Sequence, residues 1–179
     1  SFIFICVFIC SFLSVPILWI KVKYPEFNLL FKLAGIYVIS LMILYLFYLA
    51  SYFQDHKLSL KNIIRFTVAF PVFLSLSMGL GIHNSIAVIE GLMGKKSPFV
   101  RTPKFNISHK NTSWKNNIYR MKSVGLVTKL EGLASLYFLF GIGLSFYLQD
   151  FTMIYLESLL FLGYTGVFYF SVKHSAQNG

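Results

Sequence analysis

Charge is what this sequence has least of, and acidic charge least of all. Among 179 residues, 12% are charged, and 16 Lys and Arg stand against 6 Asp and Glu. Water-soluble domains carry about 25% charged residues. With 56% hydrophobic residues and a mean hydropathy of +0.69, the chain cannot bury its apolar surface in one soluble core. Lipid is the solvent that suits it. Cysteine is also scarce. Cys6 and Cys10 lie four residues apart in one apolar run, on one face of a helix, with no His or Asp beside them. That pattern excludes a disulfide framework and a metal set, and leaves two small lipid- or core-facing residues. There is no charged segment and no small-residue cleavage site around the first apolar run, so it does not read as a signal peptide. Because the chain opens with Ser1 inside that run, the expectation is a piece of a longer polypeptide. Repeats and low-complexity linkers are absent too.

What is present is a series of apolar runs. A membrane-crossing helix needs about 20 mostly apolar residues, and residues 1–20 supply them, with Pro16 tolerable in a bilayer and Trp19 suited to an interface. Residues 29–53 form a second candidate, with Lys32 able to reach the headgroups. Residues 131–149 and 152–173 read as a helical hairpin turning at Gln149 and Asp150. Its Gly132, Gly141, Gly143, Gly163 and Gly166 permit close helix contact, although none forms a G-x-x-x-G pair. The fold class expected is therefore all-α and polytopic: four spans plus one bent or interfacial helical segment, with a cytosolic amphipathic helix and a basic loop.

The bent segment is assigned to residues 63–82. Their length suits a span, but Arg65, Pro71, Gly79 and Gly81 suggest something less regular, and the segment is expected not to cross. Ile82, Ile86, Ile89 and Met93 then recur at spacings of four, three and four, one apolar stripe of a short helix. That stripe suits a membrane surface or a protein surface equally. Glu157 lies in an apolar run, where a carboxylate is a functional candidate by default. Its place near the start of the run favours an interfacial reading.

The expected organisation is a transmembrane hairpin over 1–60, the bent segment and amphipathic helix over 61–94, a basic loop over 95–130, and a second hairpin with a tail over 131–179. The loop carries Lys95, Lys96, Arg101, Lys104, Lys110, Lys115, Arg120, Lys122 and Lys129, and no Asp or Glu. Such charge beside membrane helices places a loop in the cytoplasm. It also accounts for the net charge of +10 without a nucleic-acid partner.

Within the loop, Ser97-Pro98-Phe99-Val100-Arg101-Thr102-Pro103-Lys104-Phe105 stands out. The two prolines bias it away from helix. Arg101 offers a planar fork of donors, Lys104 a mobile charge and Thr102 a hydroxyl, a set that suits a phosphate-bearing ligand. Phe99 can stack on a base. A juxtamembrane basic loop on anionic lipid has the same composition.

The stretch from Ser75 to Phe105 resembles the C-terminal membrane region of processive family 2 glycosyltransferases, the group of cellulose and hyaluronan synthases. In that family an interfacial amphipathic helix precedes a gating loop of the form F-x-V-T-x-K. Phe99, Thr102 and Lys104 match it, while Arg101 stands where the family has Val. The likeness is specific over about thirty positions. It implies that Phe99, Arg101, Thr102 and Lys104 contact a nucleotide diphosphate, with Phe99 seating the loop. It further implies a catalytic domain upstream of Ser1 with a D-x-D set, a divalent metal (Mg or Mn), a base Asp and a Q-x-x-R-W motif. None of these motifs occurs in the chain, so no catalytic or metal-binding residue is expected in it. The partners implied are the bilayer, that upstream domain, a nucleotide sugar, and a growing glycan or lipid acceptor. The location implied is a bacterial inner membrane. The alternatives are a transporter or flippase subunit, or a structural module whose basic loop binds lipid.

Overall fold

The computed structural model describes residues 2–27, 36–95 and 125–176, which form helices joined by short turns, with no strand among them. Six α-helices follow in order: α1 (Phe2–Lys23), α2 (Ile36–Asp55), α3 (Leu60–Gly79), α4 (Gly81–Leu92), α5 (Leu126–Leu148) and α6 (Ile154–Ala176), with a single 3-10 turn at Pro25–Phe27 after α1. The all-α, polytopic expectation holds. Four helices are long and apolar enough to cross a membrane: α1, α3, α5 and the Ile154–Lys173 part of α6.

Three of the runs read as spans are among these four, and the run over residues 29–53 is described only from Ile36 onward. Residues 60–79, read as bent and interfacial from residue 63 onward, form one helix of 20 residues with Pro71 inside it. The described apolar part of α2, Ile39–Asp55, is the shorter one. The break expected somewhere in 63–82 falls at Leu80, whose N–H still bonds to Leu76 O at 3.1 Å before α4 sets off. Gly79 was misleading. It is a contact glycine, because a Cβ there would collide with the Gly163 carbonyl of α6. Gly163 answers it, since a Cβ on Gly163 would strike Ser75 O. Small residues let backbones meet where lipid gives no hydrophobic drive to association.

Contacts fix the direction of each helix. Val15 of α1 meets Gly141 of α5, and Lys21 further along meets Asp150 after α5, so α1 and α5 run the same way. α6 returns antiparallel through the tight turn at Gln149, the only non-glycine with positive φ (55°) among the described residues. α3 runs with α6, with Phe70 and Leu74 packed on Leu159 and Gly79 on Gly163. The four candidate spans therefore alternate in direction. The start of α1, the later turns of α4 and the start of α5 share one end of the bundle. α2 packs on α3, where Tyr45 stacks against Phe66 and Phe70 and shares a 2.8 Å hydrogen bond with Thr67.

Pro16 shows how this bundle satisfies its backbone. Proline has no N–H, so the carbonyl four residues earlier loses its helical partner. That carbonyl is Phe12 O, and Tyr137 Oη of α5 donates to it at 2.7 Å. An unsatisfied carbonyl in hydrocarbon costs several kcal/mol, roughly. The proline in α1 is thus matched by a hydroxyl on a neighbouring helix.

Candidate functional site at the α4 end

α3 ends against the middle of α6, and α4 carries the chain onward between α1 and α5. Ile82 is buried in the central cluster with Val15, Phe138, Leu160 and Tyr164. One turn on, buried Ser85 donates to Phe4 O at 3.3 Å. The apolar stripe therefore faces protein at Ile82 and Ile86, while Ile89 and Met93 are exposed. Between the membrane-surface and protein-surface readings, the inner half of the stripe takes the second.

His83, on the first turn of α4, lies 2.7 Å from Glu131 Oε1 of α5. The two sides of this pair differ sharply: the His83 side chain is 48% exposed and that of Glu131 0%. Ser171 of α6 also reaches the carboxyl. Hydrogen bonds from Ser171 and His83 offset part of the cost of burying this carboxyl. A buried charge needs partners with good geometry or it destabilises the fold. The N-terminal turn of α4 also favours negative charge through its dipole.

Glu157, in the first turn of α6 as its interfacial reading requires, is fully buried between α5 and α6. Ser145 Oγ donates to its Oε2 at 3.2 Å, its Oε1 has no partner, and its carboxyl lies where a Cβ on Gly141 would be. The two buried carboxyls thus occupy opposite ends of the α5–α6 seam. Between them the rings of Phe138 and Tyr164 stack at 5.6 Å.

Alongside α4 runs a groove of about 620 Å³, walled by α1, α4 and α5. Its floor is hydrocarbon: Ile5, Phe8, Ile9, Ile86, Leu130 and Leu133 contribute. Two lining residues carry hydroxyls, Ser85 and Tyr137, and both hydroxyls are committed to carbonyls of α1. The groove offers no free donor to a sugar or a phosphate.

At the far end, Lys21 Nζ approaches Asp150 Oδ2 at 2.6 Å and donates to Thr152 Oγ1 at 3.0 Å. Thr152 donates to Asp150 Oδ1 from both N–H (3.0 Å) and hydroxyl (2.6 Å). Burial opposes ionisation of Asp150, but the Lys21 and Thr152 contacts outweigh it and hold the pKa below the usual carboxylate value.

Phe99, Arg101, Thr102 and Lys104 lie outside the described residues, as does most of the basic loop. Its two described ends, Lys95 and Gly125, stand at the α4 end of the bundle. Lys95 pairs with Glu90 at 2.5 Å and Lys129 is exposed. Among the described residues no cluster of His, Cys, Asp or Glu could hold a metal ion. The chain matches no protein-family model, no curated protein and no solved structure.

Sequence reasoning missed Glu131 and His83. Glu131 sits two residues from Lys129 at the border of the basic loop, where it reads as a solvated charge. The available signal was the scarcity of acids, since any acid next to an apolar run stands out among six.

Proposed function

We propose that this chain is the membrane-embedded portion of a nucleotide-sugar-dependent family 2 glycosyltransferase that makes or extends a polysaccharide or glycolipid. Catalysis would rest with a domain upstream of Ser1, which would carry the metal and the reacting carboxylates. The present helices would anchor that domain and position the segment carrying Phe99, Arg101, Thr102 and Lys104 over its nucleotide site, on the cytoplasmic side of a bacterial inner membrane.

The observation that supports this reading best is the seating of α4. It is wedged between α1 and α5, pinned by Ser85 to Phe4 O and by His83 to Glu131. The FVRTPK motif begins four residues after Lys95, just beyond this helix. A rigid helix leading directly into a cationic segment is what a closing loop needs. Transfer from a nucleotide sugar builds charge on the departing diphosphate, and donors brought over it stabilise that charge and exclude water. Thr102 would donate its hydroxyl and Lys104 its ammonium.

The test is glycosyl transfer by the full-length protein. Lys104→Ala should slow it roughly tenfold to a hundredfold, as loss of a charge-assisted contact worth about 1.5–3 kcal/mol. Thr102→Ala should do less. Lys110→Ala and Lys115→Ala, equally basic but outside the motif, should leave the rate near wild type. Equal losses at all four positions would point to a loop that binds lipid through total charge.

One observation favours the transport alternative. Two buried carboxyls, Glu131 and Glu157, line one helix seam, and intramembrane carboxylates often mark ion pathways. Proton or cation flux into vesicles that Glu157→Gln abolishes would support that reading.

A further inference from the structure

We infer that the groove between α1, α4 and α5 is a binding site for one acyl chain of an anionic phospholipid, whose headgroup meets the basic residues at the α4 end. Two walls of the groove are candidate membrane spans, so its side opens at membrane depth and its occupant is drawn from what the bilayer holds. Its volume of about 620 Å³ lies within the roughly 300–1,000 Å³ of ordinary ligand sites. The lining excludes a glycan. The hydroxyls of Ser85 and Tyr137 are turned to Phe4 O and Phe12 O, and a sugar chain would lose its hydrogen bonds to water against bare hydrocarbon. An alkyl chain loses nothing there.

Charge selects the headgroup. Lys129 is exposed directly before the lining residue Leu130, and Lys95 follows α4 at the same end. Glu90 offsets Lys95 and Glu131 is buried beside His83, which leaves Lys129 as the exposed cation bordering the groove lining. Lys and Arg at a membrane surface attract anionic headgroups by about 1 kcal/mol each. A phosphate above the groove and a chain within it match the two surfaces the helices present.

The experiment reads lipid labelling and does not depend on catalysis. The full-length protein is placed in phosphatidylcholine vesicles containing a minor fraction of phosphatidylglycerol with a photoreactive group in mid-chain, and labelled peptides are mapped. Peptides covering residues 5–12, 82–89 and 130–137 should carry several-fold more label than the exposed face of α2 around Met42 and Phe47. Ile89→Trp, which fills the groove from an exposed position, should remove the excess. Leu136→Trp, exposed on α5 but outside the lining, should not. Lys129→Glu should reduce the excess for phosphatidylglycerol, and a phosphatidylcholine probe with the same chain should show a smaller excess from the start. Even labelling of every exposed face would mean ordinary boundary lipid and overturn the proposal. So would an excess that survives Ile89→Trp, or groove peptides that stay unlabelled because another part of the protein covers them.

Discussion

Two acids at opposite ends of the α5–α6 hairpin are held in opposite ways. Asp150 is partly exposed and takes contacts from Lys21 and Thr152. Glu131 is wholly buried, and His83 of α4 and Ser171 of α6 reach its carboxyl. The first is a clasp that closes α1 onto the hairpin turn. The second is a buried charge whose main partner sits on the helix that leads into the basic loop. A carboxyl in the interior is held only where packing and its polar neighbours fix it, and such places concentrate at working sites.

The largest break in this comparison should come from His83→Ala. It leaves Glu131 buried with Ser171 alone, and losing one member of a buried pair costs about 3–5 kcal/mol, reduced here because the imidazole is half exposed. Thermal unfolding in detergent should shift downward clearly, and adding Glu131→Gln should recover much of the loss by removing the stranded charge. No recovery in the double variant would mean that His83 acts through packing alone.

At the other end, Asp150→Asn should cost about 0.2–1 kcal/mol, as expected of a partly exposed pair. The pH dependence sharpens the point. The folded-state pKa of Asp150 is depressed, so its contribution is complete above the ordinary carboxylate range. It fades as pH falls below about 4. An acid titration of unfolding should show a step that Asp150→Asn removes, and a step that persists in the variant would assign it elsewhere. The smallest effect should be Gln149→Gly, which relieves a left-handed residue and should stabilise the turn by a fraction of about 1 kcal/mol.

The helices were legible because bilayer thickness sets a length and the apolar runs meet it. The hairpin was legible from Gln149 and Asp150 interrupting two such runs. Within residues 63–82, Pro71 leaves the helix continuous and the break comes at Leu80, beside Gly79 and Gly81. Only the approach of Gly163 shows that Gly79 is a contact point, and that approach is a property of two helices at once. Glu157 was singled out, but its burial was not legible, since that depends on Gly141 leaving room for the carboxyl. Glu131 was invisible because α4 runs on between α1 and α5 and brings His83 to it, and no local pattern encodes that packing. The groove likewise exists only between three helices. The residues of the FVRTPK motif lie outside the described residues, so their role rests on the sequence likeness.

The whole account depends on the α4 end of the bundle facing the cytoplasm, and paired cysteine labelling reads this directly. Cys6 and Cys10 are exposed, so they are first replaced in the full-length protein. Single cysteines then go in at Lys95 and Lys129, at the α4 end, and at Gln54 and Gln149, at the other end. In intact cells an impermeant reagent should reach Gln54 and Gln149 only, with Lys95 and Lys129 reacting after the membrane is opened. Labelling of Lys95 or Lys129 from outside would remove the loop from any cytoplasmic nucleotide sugar. Labelling of Gln54 and Lys95 from the same face would show that α3 does not cross.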